Sequence, residues 1–196
     1  VIKRAFDVVV ALLALALLWP LMLAAALAVW LDSGRPVLFT QQRVGLGGRT
    51  FALYKFRSMV VDAAARGAGA ASAGQPGAWY STARDDPRIT RVGRLLRRSS
   101  IDELPQLINV LRGDMSLVGP RPDVPAQRGN YTAQQWALRH SVRPGLTGLA
   151  QALYRSRATP EQRLQADLEY ARHHGLLTDL RILALTVVQL LRRSAN

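Results

Sequence analysis

The sequence has no cysteine, which excludes thiolate nucleophiles, disulfide staples and Cys-based metal sites. Acidic residues are scarce: 13 Asp and Glu stand against 26 Lys and Arg, for a formal net charge of +13. That imbalance calls for an anionic partner, whether nucleic acid, lipid headgroups or a phosphorylated substrate. Lysine occurs only at Lys3 and Lys55, so arginine carries the charge, a bias that a GC-rich coding sequence explains as readily as function does. Aromatics make up 7% of the chain, and neither an aromatic stacking pattern nor a recognition helix accompanies the basic residues. A membrane-tethered nucleic-acid-binding protein is therefore the weaker reading, and no nucleic acid partner is expected.

Charge is absent altogether from Val8 to Leu31. As a helix this run extends about 36 Å at ~1.5 Å per residue, enough for a membrane segment. It is too long for the apolar core of a signal peptide, and no small-residue cleavage site follows it. Pro20 lies at its midpoint and is expected to kink it. Lys3 and Arg4 precede the run, while Arg35, Arg43, Arg49, Lys55 and Arg57 follow it. Both flanks thus favour the cytoplasm. A re-entrant helix satisfies both, and a spanning helix with a proline kink is the alternative. We take residues 1–35 as the membrane anchor and 36–196 as one continuous unit at the cytoplasmic face.

Beyond the anchor, Val37 to Met59 reads as a β-hairpin around Gly45-Leu46-Gly47-Gly48. Residues 63–78 are Ala, Gly and Ser with little else and read as a mobile loop. Asp86-Pro87 is expected to start a helix that sets Arg88, Arg91, Arg94 and Arg97 on one face. Most of that face suits solvent or headgroups, with Arg97 the best substrate candidate because it lies nearest the acidic pair below. Thr132 with Gln135, and Thr159 with Gln162, form capping boxes, the second helix running to about His173. Leu176 to Arg193 is apolar over most of its circumference and suits a bilayer interface. The expected fold is α+β and mainly helical, with a small hairpin and several interfacial amphipathic helices.

Asp102-Glu103 sits in the run Ser99 to Gly113, which reads as a helix beginning near Ser100. Ser100 and Glu103 have capping-box spacing, whereas Pro105 is better placed if Asp102 is the cap. A carboxylate at a helix N-terminus is expected to keep a low pKa and to serve as an ionised nucleophile or metal ligand. Adjacent helical residues diverge by about 100°, so the two carboxylates would take different roles. Downstream, Pro120-Arg121-Pro122 presents one guanidinium between two rigid residues, a geometry suited to phosphate, and Arg143-Pro144-Gly145 repeats the theme.

These blocks resemble the polyprenyl-phosphate phosphoglycosyl transferases of the monotopic bacterial type. The resemblance is carried by Lys3-Arg4-Ala5-Phe6-Asp7, Gln42-Arg43-Val44-Gly45, Tyr54-Lys55-Phe56-Arg57-Ser58-Met59 and Asp102-Glu103-Leu104-Pro105-Gln106. It continues through Gly113 to Pro122 and Arg143 to Gly148. It implies that Asp102 attacks a UDP-sugar to give a phosphosugar-aspartyl enzyme and UMP, and that undecaprenyl phosphate then takes the phosphosugar. It also implies magnesium, with Glu103 the favoured ligand and Asp102 beside it, and a nucleotide role for Arg121. Substrate-binding residues on this basis are Lys55, Arg57, Arg97, Pro120, Arg121, Pro122, Arg143 and Arg155. The implied location is the cytoplasmic face of the bacterial inner membrane, in contact with membrane lipids. Two departures stand out: Trp19 precedes Pro20 where the family often has Ser, and Leu149-Ala150-Gln151-Ala152-Leu153-Tyr154 replaces a segment with an Asn-Gly turn. A catalytically silent scaffold of the same fold is the remaining alternative.

Overall fold

The computed structural model describes residues 1–61, 63, 86–154 and 158–194, with side chains to residue 189. The expected loop falls almost wholly outside the described residues, and Arg155 does so entirely. Helix α1, Ile2–Ser33, is the one described helix long and apolar enough to cross a membrane, and it continues through Pro20. Asp7, Ala11, Ala25 and Val29 are buried on one face, and the partly buried Leu15, Leu18 and Met22 fill the stripe between them, at the spacing of a single helical face. Leu13, Leu17, Trp19, Leu23 and Leu31 are exposed on the other side.

Both ends of α1 are fastened to the rest of the chain. At its start, the Arg4 guanidinium donates to the Val110 and Leu111 carbonyls at 2.6 and 2.8 Å. Lys3 donates to Ser116 Oγ at 2.7 Å and pairs with the buried Asp179. At its end, Arg57 donates to the Ser33 and Gly34 carbonyls at 2.6 and 2.8 Å, satisfying groups that a helix C-terminus leaves open.

Strands β1, Leu38–Val44, and β2, Thr50–Phe56, form the expected antiparallel hairpin, Val44 opposite Thr50. Gly47 and Gly48 take positive φ at its tip, a turn that glycine forms without strain. Helix α2, Arg91–Ser99, starts later than the sequence suggests. Its N-cap is Thr90, whose hydroxyl accepts from Gly93 N. Asp86 instead binds Arg88 through both backbone and side chain. The cause is pairing: Met59 bridges Ile89, and the bonds Val60 N to Arg88 O and Thr90 N to Ser58 O hold this stretch extended. Arg88 is therefore not on the helical arginine face.

The helix expected from Ser100 is also broken. Ser100 is left-handed at φ 62°, a 3₁₀ turn covers Ile101–Glu103, and helix α3 runs Gln106–Arg112 to a left-handed Gly113. Neither Ser100 nor Asp102 caps α3, because Pro105 takes the cap position. The buried Asn109 side chain joins α3 to β2, accepting from Tyr54 N at 3.0 Å and donating to Ala52 O at 2.8 Å.

The stretches read as rigid turns contain two short strands, β3, Ser116–Val118, and β4, Gly145–Thr147, paired in parallel. Glycine permits this approach: a Cβ on Gly145 would overlap the Gly119 nitrogen, and one on Gly148 the Gly119 carbonyl. Helices α4, Ala133–Arg139, and α6, Pro160–His173, carry the expected capping boxes. Helix α5, Leu149–Tyr154, precedes α6, and α7, Leu176–Ser194, closes the described chain. Ile182 of α7 is buried while Leu177, Leu180, Val187 and Val188 are exposed, leaving one apolar face uncovered. The main core joins Ala11 of α1, Leu107 and Val110 of α3, Met115, Val118, Tyr170 and Ile182.

Candidate active site

Three elements converge on the acidic pair: the 3₁₀ turn carries Asp102 and Glu103, β2 carries Lys55, and the Pro-Arg-Pro turn after β3 carries Arg121. Lys55 Nζ lies 2.7 Å from Glu103 Oε1, and an Arg121 terminal nitrogen lies 3.1 Å from the same oxygen. Both cations thus share one carboxylate oxygen. Burial pushes the Glu103 carboxyl up, but Arg121 and Lys55 outweigh it and hold its pKa at about 2. Glu103 is an anion at any physiological pH.

Asp102 is in the opposite position. It is 8% exposed, and burial raises its pKa above the ordinary aspartate value; Lys55, Arg97 and Arg121 pull it down while Glu103 adds to the rise. This corrects the low pKa expected of a helix cap, since the residue caps no helix and, among the described residues, receives no compensating backbone N–H. Lys55 is lowered, first by burial and against the pull of Glu103, while Arg121 is raised, chiefly by Glu103.

A small cleft beside the pair is lined by Arg43, Lys55, Gln106, Arg121, Pro122 and Leu146. Arg43 was not singled out from the sequence as a site residue, although it lies in one of the recognised blocks. Its pKa falls to about 10 through burial and the neighbouring Arg121, so it remains a cation. The cleft therefore gathers three cations around one paired anion, and that excess is what a phosphorylated ligand would neutralise.

The remaining expected residues are dispersed. Arg97, in the last turn of α2, acts electrostatically on Asp102. Pro120 and Pro122 are buried and frame Arg121, whose side chain is 44% exposed. Arg57 is committed to the end of α1, and Arg143 Nε donates to Gly113 O at 2.9 Å, so neither guanidinium is gathered at the acidic pair. Among the described residues no group of three or more His, Cys, Asp or Glu could hold a metal.

Behind the Pro-Arg-Pro turn lies a second charged cluster that the sequence did not disclose. Arg139 pairs with Asp123 and Asp167, and all three are buried. Tyr131 donates to Asp123 Oδ1 at 3.1 Å, and His140 Nε2 lies 3.4 Å from Asp123 Oδ2. The position of Asp123 directly after Pro122 was the available signal.

Fold and site define a mainly helical domain with a membrane-length apolar helix, whose 3₁₀ turn sets two carboxylates beside a small cleft of basic side chains. The chain belongs to the bacterial sugar transferase family, whose profile matches residues 1–193, as the motifs implied. It is 49% identical to a UDP-glucose:undecaprenyl-phosphate glucose-1-phosphate transferase of Caulobacter vibrioides, over 96% of this chain and 69% of that protein. A protein of the same description from Xanthomonas campestris pv. campestris is 45% identical over 97% of this chain and 39% of its own length. The exopolysaccharide production protein PSS of Rhizobium leguminosarum bv. phaseoli is 41% identical over 98% of this chain and 96% of its length. The chain thus spans well under half of some of the curated relatives it matches.

Proposed function

We propose that this protein transfers a sugar phosphate from a UDP-sugar to undecaprenyl phosphate, as the first membrane step of glycoconjugate or exopolysaccharide assembly. The observation that carries the reading is the Asp102–Glu103 pair in a 3₁₀ turn, framed by Lys55, Arg97 and Arg121.

In the first step an Asp102 carboxylate oxygen attacks the β-phosphorus of the UDP-sugar. The bond from that phosphorus to the bridging oxygen breaks, and UMP leaves with the oxygen. In the second step an oxygen of undecaprenyl phosphate attacks the aspartyl phosphate. The aspartyl bond breaks, Asp102 is regenerated, and the product is a sugar-diphospholipid. Two steps divide one difficult displacement into two easier ones. Arg121 and Lys55 supply positive charge where the diphosphate and the leaving UMP concentrate negative charge.

Magnesium fits the donors present. Mg²⁺ commonly takes one or two carboxylates and completes its shell with water and substrate phosphates rather than with a protein cage. Glu103 binds both its cations through Oε1, leaving Oε2 for a metal, with Asp102 adjacent. Bound there, the ion would neutralise diphosphate charge during transfer.

The anchor reading rests on the fastening of α1 at both ends to one domain, together with basic residues on both flanks. We propose that α1 enters and leaves the same, cytoplasmic, leaflet of the plasma membrane, with the exposed apolar face of α7 at the interface.

The direct test is a panel of UDP-sugars with undecaprenyl phosphate and Mg²⁺. UMP release with one sugar, dependent on both lipid and metal over multiple turnovers, is expected. No UMP release from any member would overturn the reading.

A further inference from the structure

The two prolines restrict the backbone around Arg121, but they do not fix where the turn lies. Other elements do. Gly145 N donates to Pro120 O at 2.9 Å, Arg139 to Arg121 O at 2.8 Å, Arg43 to Pro122 O at 2.9 Å, and Val44 N to Asp123 O at 2.8 Å. Every carbonyl from residue 120 to 123 thus has its own donor. Three of these donors come from β-structure. The fourth, Arg139, comes from the end of α4 and holds the carbonyl of Arg121 itself.

The Arg139 guanidinium is used from three sides. Its Nε and one terminal nitrogen bind Asp167 Oδ2 at 3.1 and 2.8 Å, the other terminal nitrogen binds Asp123, and the nitrogen shared with Asp167 also reaches Arg121 O. A planar fork of donors can serve these partners together, which a single ammonium cannot. Two buried aspartates around one arginine hold that fork at a fixed angle, and a fixed fork fixes the carbonyl it binds.

We infer that Arg139, locked by Asp123 and Asp167, is a positioning residue that sets Arg121 against Glu103 and the substrate diphosphate. It touches no reacting atom and acts through the Arg121 backbone. The inference rests on the reading of Arg121 as a nucleotide-sugar ligand, and its test separates the two.

The test is Arg139→Lys in the full chain, alone and combined with Arg121→Ala. In the single variant KM for the UDP-sugar is expected to rise about tenfold, the size of one charge-assisted hydrogen bond, with KM for undecaprenyl phosphate unchanged. In the Arg121→Ala background the same substitution is expected to leave KM unmoved, because the effect runs through the missing side chain. Hydrogen exchange in the peptide covering residues 115–124 is expected to quicken in Arg139→Lys while strand β2 keeps its rate. An equal KM rise in both backgrounds, or unchanged exchange at 115–124, overturns the inference. If Arg139→Lys does not fold, Asp167→Asn loosens the same fork and carries the same comparison. If the wild-type protein releases no UMP, the proposed reaction fails, and the exchange measurement still decides whether Arg139 holds the turn.

Discussion

Two charged clusters lie on either side of the Pro-Arg-Pro turn, both built from carboxylates and basic side chains and differing in closure. In the inner cluster Asp123, Arg139 and Asp167 are 3%, 2% and 1% exposed, and each charge has a partner. In the outer cluster Asp102 and Glu103 face Lys55, Arg43, Arg97 and Arg121, with cations in excess and Arg121 reaching solvent. A closed, partnered cluster fixes geometry, and an open one with surplus charge is ready for a ligand. Sequence composition could not separate them, because the distinction lies in burial.

Matched substitutions separate the two clusters most clearly. Asp102→Asn is expected to cut UMP release by about 10³-fold or more while the melting temperature holds, as removal of a covalent nucleophile does. Asp123→Asn is expected to do the reverse, destabilising the fold by about 3–5 kcal/mol because Arg139 is left buried with one partner fewer. Thermal denaturation and turnover on the same samples distinguish them.

Smaller effects follow from the charges around Asp102. Asp102, as the proposed nucleophile, must be ionised, and burial raises its pKa, so kcat/KM is expected to fall with decreasing pH through a value above the ordinary aspartate range. Lys55→Met removes a charge that favours ionised Asp102 and moves this acid limb to higher pH. Glu103→Gln removes a like charge and moves it lower, at reduced overall rate. Glu103 itself, depressed from 4.5 to about 2, stabilises the fold above the upper value, and that contribution is lost as pH falls toward 2. The smallest effect lies at the exposed start of α4: Thr132→Ala removes the helix cap and is expected to cost about 1 kcal/mol by denaturant titration.

The sequence disclosed what is local. The uncharged run of α1, the glycine tip of the hairpin and both threonine capping boxes are short-range patterns, and each appears in the structure. The acidic pair was visible through its neighbouring motif. What stayed hidden depends on distant partners. Strands of three residues carry no periodicity, so the parallel pairing of Ser116–Val118 with Gly145–Thr147 left no trace. Thr90 replaced Asp86 as the α2 cap because Met59 draws Ile89 into a bridge. Arg57 looks like any other arginine of a basic block until the end of α1 arrives above it. Arg139 sits at the end of a short helix, and only folding encloses it between two aspartates.

On the proposed mechanism Asp102 carries the phosphosugar. Incubating the protein with its UDP-sugar and Mg²⁺, without lipid acceptor, and measuring intact mass followed by peptide mapping tests this directly. A phosphosugar mass increase on the peptide containing Asp102, lost on adding undecaprenyl phosphate and absent from Asp102→Asn, is the result expected. Full turnover by Asp102→Asn, or an adduct on another residue, would contradict it.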